Sequence, residues 1–159
     1  MLRGRRWARW RPSADGTWLA TGCADGSVRV FSTDSGALVS HQESTTTPVR
    51  AVVFSPDGAQ LAIGWGDGTA RIVASGTGTE TQRLKGHTGA VEALAYRAGT
   101  LLVTGSADHT AQAFDASTGA PLASYSHDGA VNAVSVDHLG LMLATASEDK
   151  TARLYALPK

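Results

Sequence analysis

A chain of 159 residues with 42% hydrophobic and 18% charged side chains has the composition of a folded domain and not of a disordered polymer. Formal charge is zero, 14 basic against 14 acidic, yet the first eleven residues carry five arginines and no acid. The single cysteine, Cys23, excludes an internal disulfide and a cysteine cluster for zinc, and no apolar run approaches the ~20 residues of a membrane helix.

No apolar stretch follows the basic start, so Arg5-Arg6 is not expected to belong to an export or twin-arginine signal. An Arg-rich organelle leader is the competing reading, and the expected address is the cytoplasm. Residues 7 to 12 are expected to form a first inner strand that buries alternate side chains while its arginines reach water. "LATGCADGSVRVF" (19–31) then reads as two strands about a turn at Asp25, and "GALVSHQ" supplies a further strand. The same grammar returns with "VRAVVF" from Val49, "LAIGWGDGTARIV" around Asp67 and "TETQRLKG". It returns again with "VEALAY" from Val91, "LVTGSADHTAQAF" around Asp108 and "GAPLASYSH", and last with "VNAVSV" from Val131 and "LATASEDKTARLY" around Asp149.

The four turn aspartates are spaced by 42, 41 and 41 residues, the mark of a repeat architecture. Asp-Gly between alternating runs is a hairpin signal, because glycine tolerates the positive φ of a tight turn. Each unit is therefore a four-stranded antiparallel meander, and no stretch sustains helical periodicity. After Tyr155 only Ala156, Leu157, Pro158 and Lys159 remain, and Pro158 cannot donate to a ladder, so the fourth unit is expected to lack its outer strand.

These phrases resemble the WD40-repeat β-propeller family, whose blade carries "LASGS-x-D-x-T-V-R-I-W-D". "KGHTGAV" (85–91), "YSHDGAV" (125–131) and "AFDASTG" (113–119) extend the resemblance over essentially the whole chain. It implies an all-β propeller of four antiparallel four-stranded blades at about 7–45, 46–86, 87–126 and 127–159, the last without its outer strand. Such a chain is an open arc or part of a larger ring, since "MLRGRR" is a charged stub poorly suited to complete the last blade. The sequence also departs from the family. The Trp-Asp pair is Phe31-Ser32, Val73-Ala74, Phe114-Asp115 and Tyr155-Ala156, and the Gly-His is whole only at Gly86-His87, with Ser126-His127 close. In the second blade Thr45 stands at the histidine's place, with His41 displaced by four.

His87, Thr104 and Asp108, and again His127, Thr145 and Asp149, could be taken for a nucleophile, a base and its orienting acid. The resemblance implies a buried structural network instead, in which the histidine ties the turn acid to the strand hydroxyl. A neutral imidazole donates from one nitrogen and accepts at the other, and repetition once per blade argues against a catalytic site. Asp25 and Asp67 are the corresponding turn acids of the first two blades. Tyr155 could donate into its network, whereas Phe31 and Phe114 cannot. No metal site is expected, because His41, His109 and His138 lie in different blades or turns without ligand spacing. The turns "ADGS" and "GDGT" offer one carboxylate each where a calcium loop needs several ligands. "IGWGDG" and "SGTGTE" lack the Lys-Ser/Thr of a phosphate loop, so no cofactor is expected.

The resemblance implies a non-enzymatic scaffold for protein partners, with binding at the start of each inner strand and just before each turn acid. Those positions are Arg6, Ala8, Ala24, Pro48, Arg50, Gly66, Ala90, Glu92, Ala107, Ala130, Asn132 and Glu148. Arg50, Glu92, Asn132 and Glu148 have side chains suited to polar contacts. Trp65 is expected partly exposed near the same face, with packing between blades as the alternative. A regulatory or sensor segment of a larger signalling protein is a competing reading. Nucleic-acid binding through "RGRRWARWR" is another, disfavoured against the inner strand. An open arc leaves an unpaired edge and apolar blade faces, so self-association or completion by further blades is expected, two chains head to tail making an eight-bladed ring.

Overall fold

The computed structural model describes residues 7–43, 46–97 and 100–158. Among these the chain forms only strands, in four separate antiparallel sheets taken in sequence order. Blade one contains β1 (Trp7–Pro12), β2 (Trp18–Cys23), β3 (Val28–Ser32) and β4 (Leu38–Gln42). Blade two contains β5 (Val49–Phe54), β6 (Gln60–Trp65), β7 (Ala70–Ala74) and β8 (Glu80–Leu84). Blade three contains β9 (Val91–Tyr96), β10 (Leu101–Ser106), β11 (Thr110–Asp115) and β12 (Pro121–Ser126). Blade four has β13 (Val131–Val136), β14 (Met142–Ser147) and β15 (Ala152–Ala156), and its sheet stops at three strands. The sheets lie side by side as a partial propeller that does not close.

Successive side chains of a strand point to opposite faces, so each blade offers one face to each neighbour. In blade one, Ala20 and Gly22 of β2 stand opposite Val30 and Val28 of β3. Against this thin face blade two sets Val52, Phe54, Leu61, Ile63 and Trp65, forming one core cluster. The pattern repeats between blades two and three, where Ala62, Ala70 and Ile72 meet Val91, Leu102 and Phe114. It repeats again where Val103, Ala111 and Ala113 meet Val131 and Leu143. Small residues on one side and bulky ones on the other let two sheets interdigitate at interior density. Each fully buried leucine or isoleucine in these seams contributes about 1.5–3 kcal/mol. Gly22, Gly64 and Gly105 make the closest approach possible. A Cβ on them would come 2.5, 2.7 and 3.0 Å from a Cγ1 of Val49, Val91 and Val131 respectively.

Two expectations need correcting. Residues 7–12 do form the first inner strand, but the expected alternate burial fails: Trp10 is 63% exposed, because among the described residues no sheet lies against that side of blade one. Trp65 is only 2% exposed, its indole N–H donating to the Gly26 carbonyl at 3.1 Å and the Arg71 guanidinium lying 5.2 Å from its ring. Its burial in the seam corrects the expected exposure and matches the packing alternative.

Candidate functional site: buried histidine networks and the inner-strand rim

Each histidine sits in the loop that leads into an inner strand, and each turn acid sits between β10 and β11 or between β14 and β15. In blade three, His87 Nδ1 lies 2.8 Å from Asp108 Oδ2 and Nε2 lies 2.6 Å from the Thr104 hydroxyl. In blade four, His127 makes the same contacts with Asp149 at 3.0 Å and Thr145 at 2.7 Å. The arrangement fits a neutral ring that donates from Nδ1 to the carboxylate and accepts the threonine proton at Nε2. These are the distances of a nucleophile, a base and its orienter. Thr104 is 0% exposed and Thr145 2%, however, so neither hydroxyl faces a space that a substrate could enter.

The carboxylates are tightly held. Asp149 accepts the Thr151 hydroxyl at 2.6 Å, the Thr151 N–H at 2.8 Å and the Asp128 N–H at 3.1 Å. The Thr151 hydroxyl leads in pulling its pKa well below the usual carboxylate range; burial opposes it, and His127 and the two N–H groups add to it. At Asp108 burial pushes upward first, but the Thr110 hydroxyl, His87 and the Thr88 N–H outweigh it and the carboxyl is again held low. A carboxylate depressed in this way stabilises the fold above its ordinary titration range, and that stabilisation is lost as pH falls through the lower, folded value.

The hydroxyl two residues after each turn acid was not among the sequence candidates. Ser27, Thr69, Thr110 and Thr151 all place a hydroxyl 2.6 Å from their aspartate. The recurring Ser or Thr at that position was the available signal. Asp25 and Asp67 take the same turn geometry. Burial pushes Asp67 up, while the Thr69 hydroxyl and N–H, with the Thr47 hydroxyl, hold it below its ordinary value. Thr45 lies outside the described residues. Tyr155 does not donate into the network of blade four. Its hydroxyl points to the Ser126 carbonyl at 3.4 Å and its ring stands edge-on to His127, as the Phe114 ring does to His87. Aromatic contact replaces the bond that an indole would donate.

At the starts of the inner strands, the polar residues singled out from the sequence come together in two pairs. Arg50 Nε lies 3.9 Å from Glu92 Oε1, and the Asn132 amide donates to Glu148 Oε1 at 3.2 Å. Arg9 Nε donates to the Arg50 carbonyl at 2.7 Å, so one arginine of the basic start serves to join blades one and two. Arg6 lies outside the described residues. A groove of about 270 Å³ runs along the inner strands, lined by Arg9, Arg11, Glu92 and Asn132 among others. Arg9 and Arg11 are members of this surface that the sequence positions missed; their spacing by two on a strand puts both on one face. Exposed ion pairs of this kind contribute little to stability.

Repeated antiparallel blades, each carrying a turn acid at the same place, define a propeller-type repeat protein. The family model described as WD domain, G-beta repeat matches residues 9–32 and 119–156, and that of the anaphase-promoting complex subunit 4 WD40 domain matches residues 41–98. The chain belongs to the WD40-repeat family. Among solved structures it is similar to the computationally designed Ika4 protein, with 27% identity, a TM-score of 0.82, and 89% of this chain covering 86% of that one. It is similar to the computationally designed Ika8 protein at 28% identity and a TM-score of 0.80, with 88% of this chain covering 43% of that one. A chain of a mitotic checkpoint complex shares the fold at 23% identity and a TM-score of 0.89, where 98% of this chain covers 51% of the other. No curated protein matches the chain by sequence.

Proposed function

We propose that this chain is a non-catalytic scaffold that binds protein partners through the rim where its inner strands begin. The observation that carries the reading is the row formed by Arg50, Glu92, Asn132 and Glu148, polar side chains from three successive blades set along one edge. Two further points support it. The histidine networks are buried and repeated, so they specify the fold and offer no reacting group to solvent. The family is one whose propellers generally bind proteins, although fold alone does not assign function.

Affinity capture from the native host tests the rim, using the intact chain beside Arg50→Glu and Glu92→Arg variants. The reading expects polypeptides that the wild type retains and each charge reversal releases, with melting temperatures unchanged. Identical capture by all three proteins would contradict it. A retained fraction consisting of nucleic acid, insensitive to both reversals, would favour the basic start instead.

A further inference from the structure

The last blade exposes a face that every other blade buries. Val30, Ile72 and Ala113 occupy one position in the third strands of blades one to three and are 2%, 0% or 0% exposed. The same position in blade four is Leu154, which is 71% exposed. Around it on that face lie Met142, Ala144, Ala146 and Ala152, paired across β14 and β15, with Ala133 and Ser135 of β13, which pair with Ala146 and Ala144. None of these side chains is charged. A solvated sheet face normally alternates to polar residues, so this composition belongs to a buried face and not to an end.

The complementary half of that interface is at the other end of the same chain. Trp10 stands at the position of Val52 in blade two, and it is 63% exposed where Val52 is 4%. Leu19 and Phe31 flank it on the same side, at the positions that Leu61 and Val73 fill in the first seam. Arg29 on this side is no obstacle, since Arg71 at the equivalent place in blade two packs over Trp65. The rule of the three internal seams, bulky on thin, is therefore satisfied if blade one of one chain meets blade four of another. Both ends also fit the curvature of a longer ring, because the arc superimposes on about half of two longer propeller chains.

We propose that the Leu154 face and the Trp10 face are two halves of one interface, and that two copies of this chain close head to tail into an eight-bladed ring. The contact is heterologous, and the rotation already built into each blade step is what allows it to close instead of growing as a filament. It is not a copy of the internal seams. Ala146 stands where the other three blades have Gly22, Gly64 and Gly105, so the incoming inner strand lies farther out and this seam is the weakest of the ring.

Light scattering behind size-exclusion chromatography on the full chain at micromolar concentration, with single-residue variants, decides it. The proposal expects the mass of two copies for wild type and of one copy for both Leu154→Asp and Trp10→Asp. Leu139→Asp, a change at a residue 58% exposed in the turn before β14, should remain at two copies, and circular dichroism should be the same for all. A wild-type mass of one copy overturns the proposal, as does a series of masses above two. So does a two-copy mass for either face variant, because a contact between like ends would lose only one of the two.

Discussion

At Asp108 and Asp149 a buried histidine reaches in from the preceding loop, whereas in blade one's turn Asp25 accepts the Ser27 hydroxyl and N–H and the Trp65 indole of blade two bonds the neighbouring Gly26 carbonyl. The residue after the acid differs in the same way. Gly26 and Gly68 supply φ of 83° and 87°, but His109 and Lys150 are held at 72° and 68° without being glycine. A side chain in that region costs about 1–2 kcal/mol. Blades one and two thus combine unstrained turns with a dense seam, where Leu61, Ile63 and Trp65 are all buried. Blades three and four combine strained turns with a hydrogen-bonded network beside packed seams of their own, and β14 faces solvent on one side. The turn of blade one is braced by an indole from the next blade, and those of blades three and four by buried histidines.

The contrast can be broken most forcefully at the unstrained turn. Gly68→Val puts a β-branched residue at φ 87° with its Cβ 3.0 Å from the carbonyl oxygens of Gly89 and His87. A loss above about 3 kcal/mol is expected from strain plus displaced backbone. Gly76→Val, whose Cβ would meet only Trp18 at 3.5 Å, should cost far less. Thermal melting of the two variants separates them, and equal melting temperatures would refute the turn assignment.

Next in size is the network itself. His127→Ala leaves the buried Thr145 hydroxyl without its 2.7 Å acceptor, a loss of about 1–3 kcal/mol. At about 2–4 °C per kcal/mol for a chain of this size, its melting temperature should fall clearly below that of His138→Ala, a change in the exposed turn between β13 and β14. Equal shifts would remove His127 from the network.

The smallest effect sharpens the comparison from the other side. Lys150→Gly relieves the strain at φ 68° but adds freedom to the unfolded chain, leaving a net gain of less than about 1 kcal/mol. Gly26→Ala, the reverse change in blade one, should lower stability. Melting curves in which both substitutions shift the same way would contradict the assignment of strain to blades three and four.

The alternating runs at Val49, Val91 and Val131 begin and end as strands where the sequence placed them, because period-two burial and turn residues agree there. His87, Thr104 and Asp108, and His127, Thr145 and Asp149, were equally legible, since each recurs at a nearly fixed offset from its turn. Trp65 and Trp10 were not legible. Their exposure depends on whether a blade lies against them, and a tryptophan looks the same in sequence whether it is inside a seam or at the end of an arc. The φ values of His109 and Lys150 were hidden for a related reason: glycine advertises a left-handed turn, and a residue forced into one by its neighbours does not.

Hydrogen exchange resolved by strand, on wild type and on the His87→Ala/His127→Ala double variant, tests the division most directly. If polar networks secure one half of the arc and packing the other, amides of β9–β11 and β13–β15 lose protection in the variant while those of β2, β3, β6 and β7 keep theirs. Equal loss in all four blades, or none in any, would contradict the account.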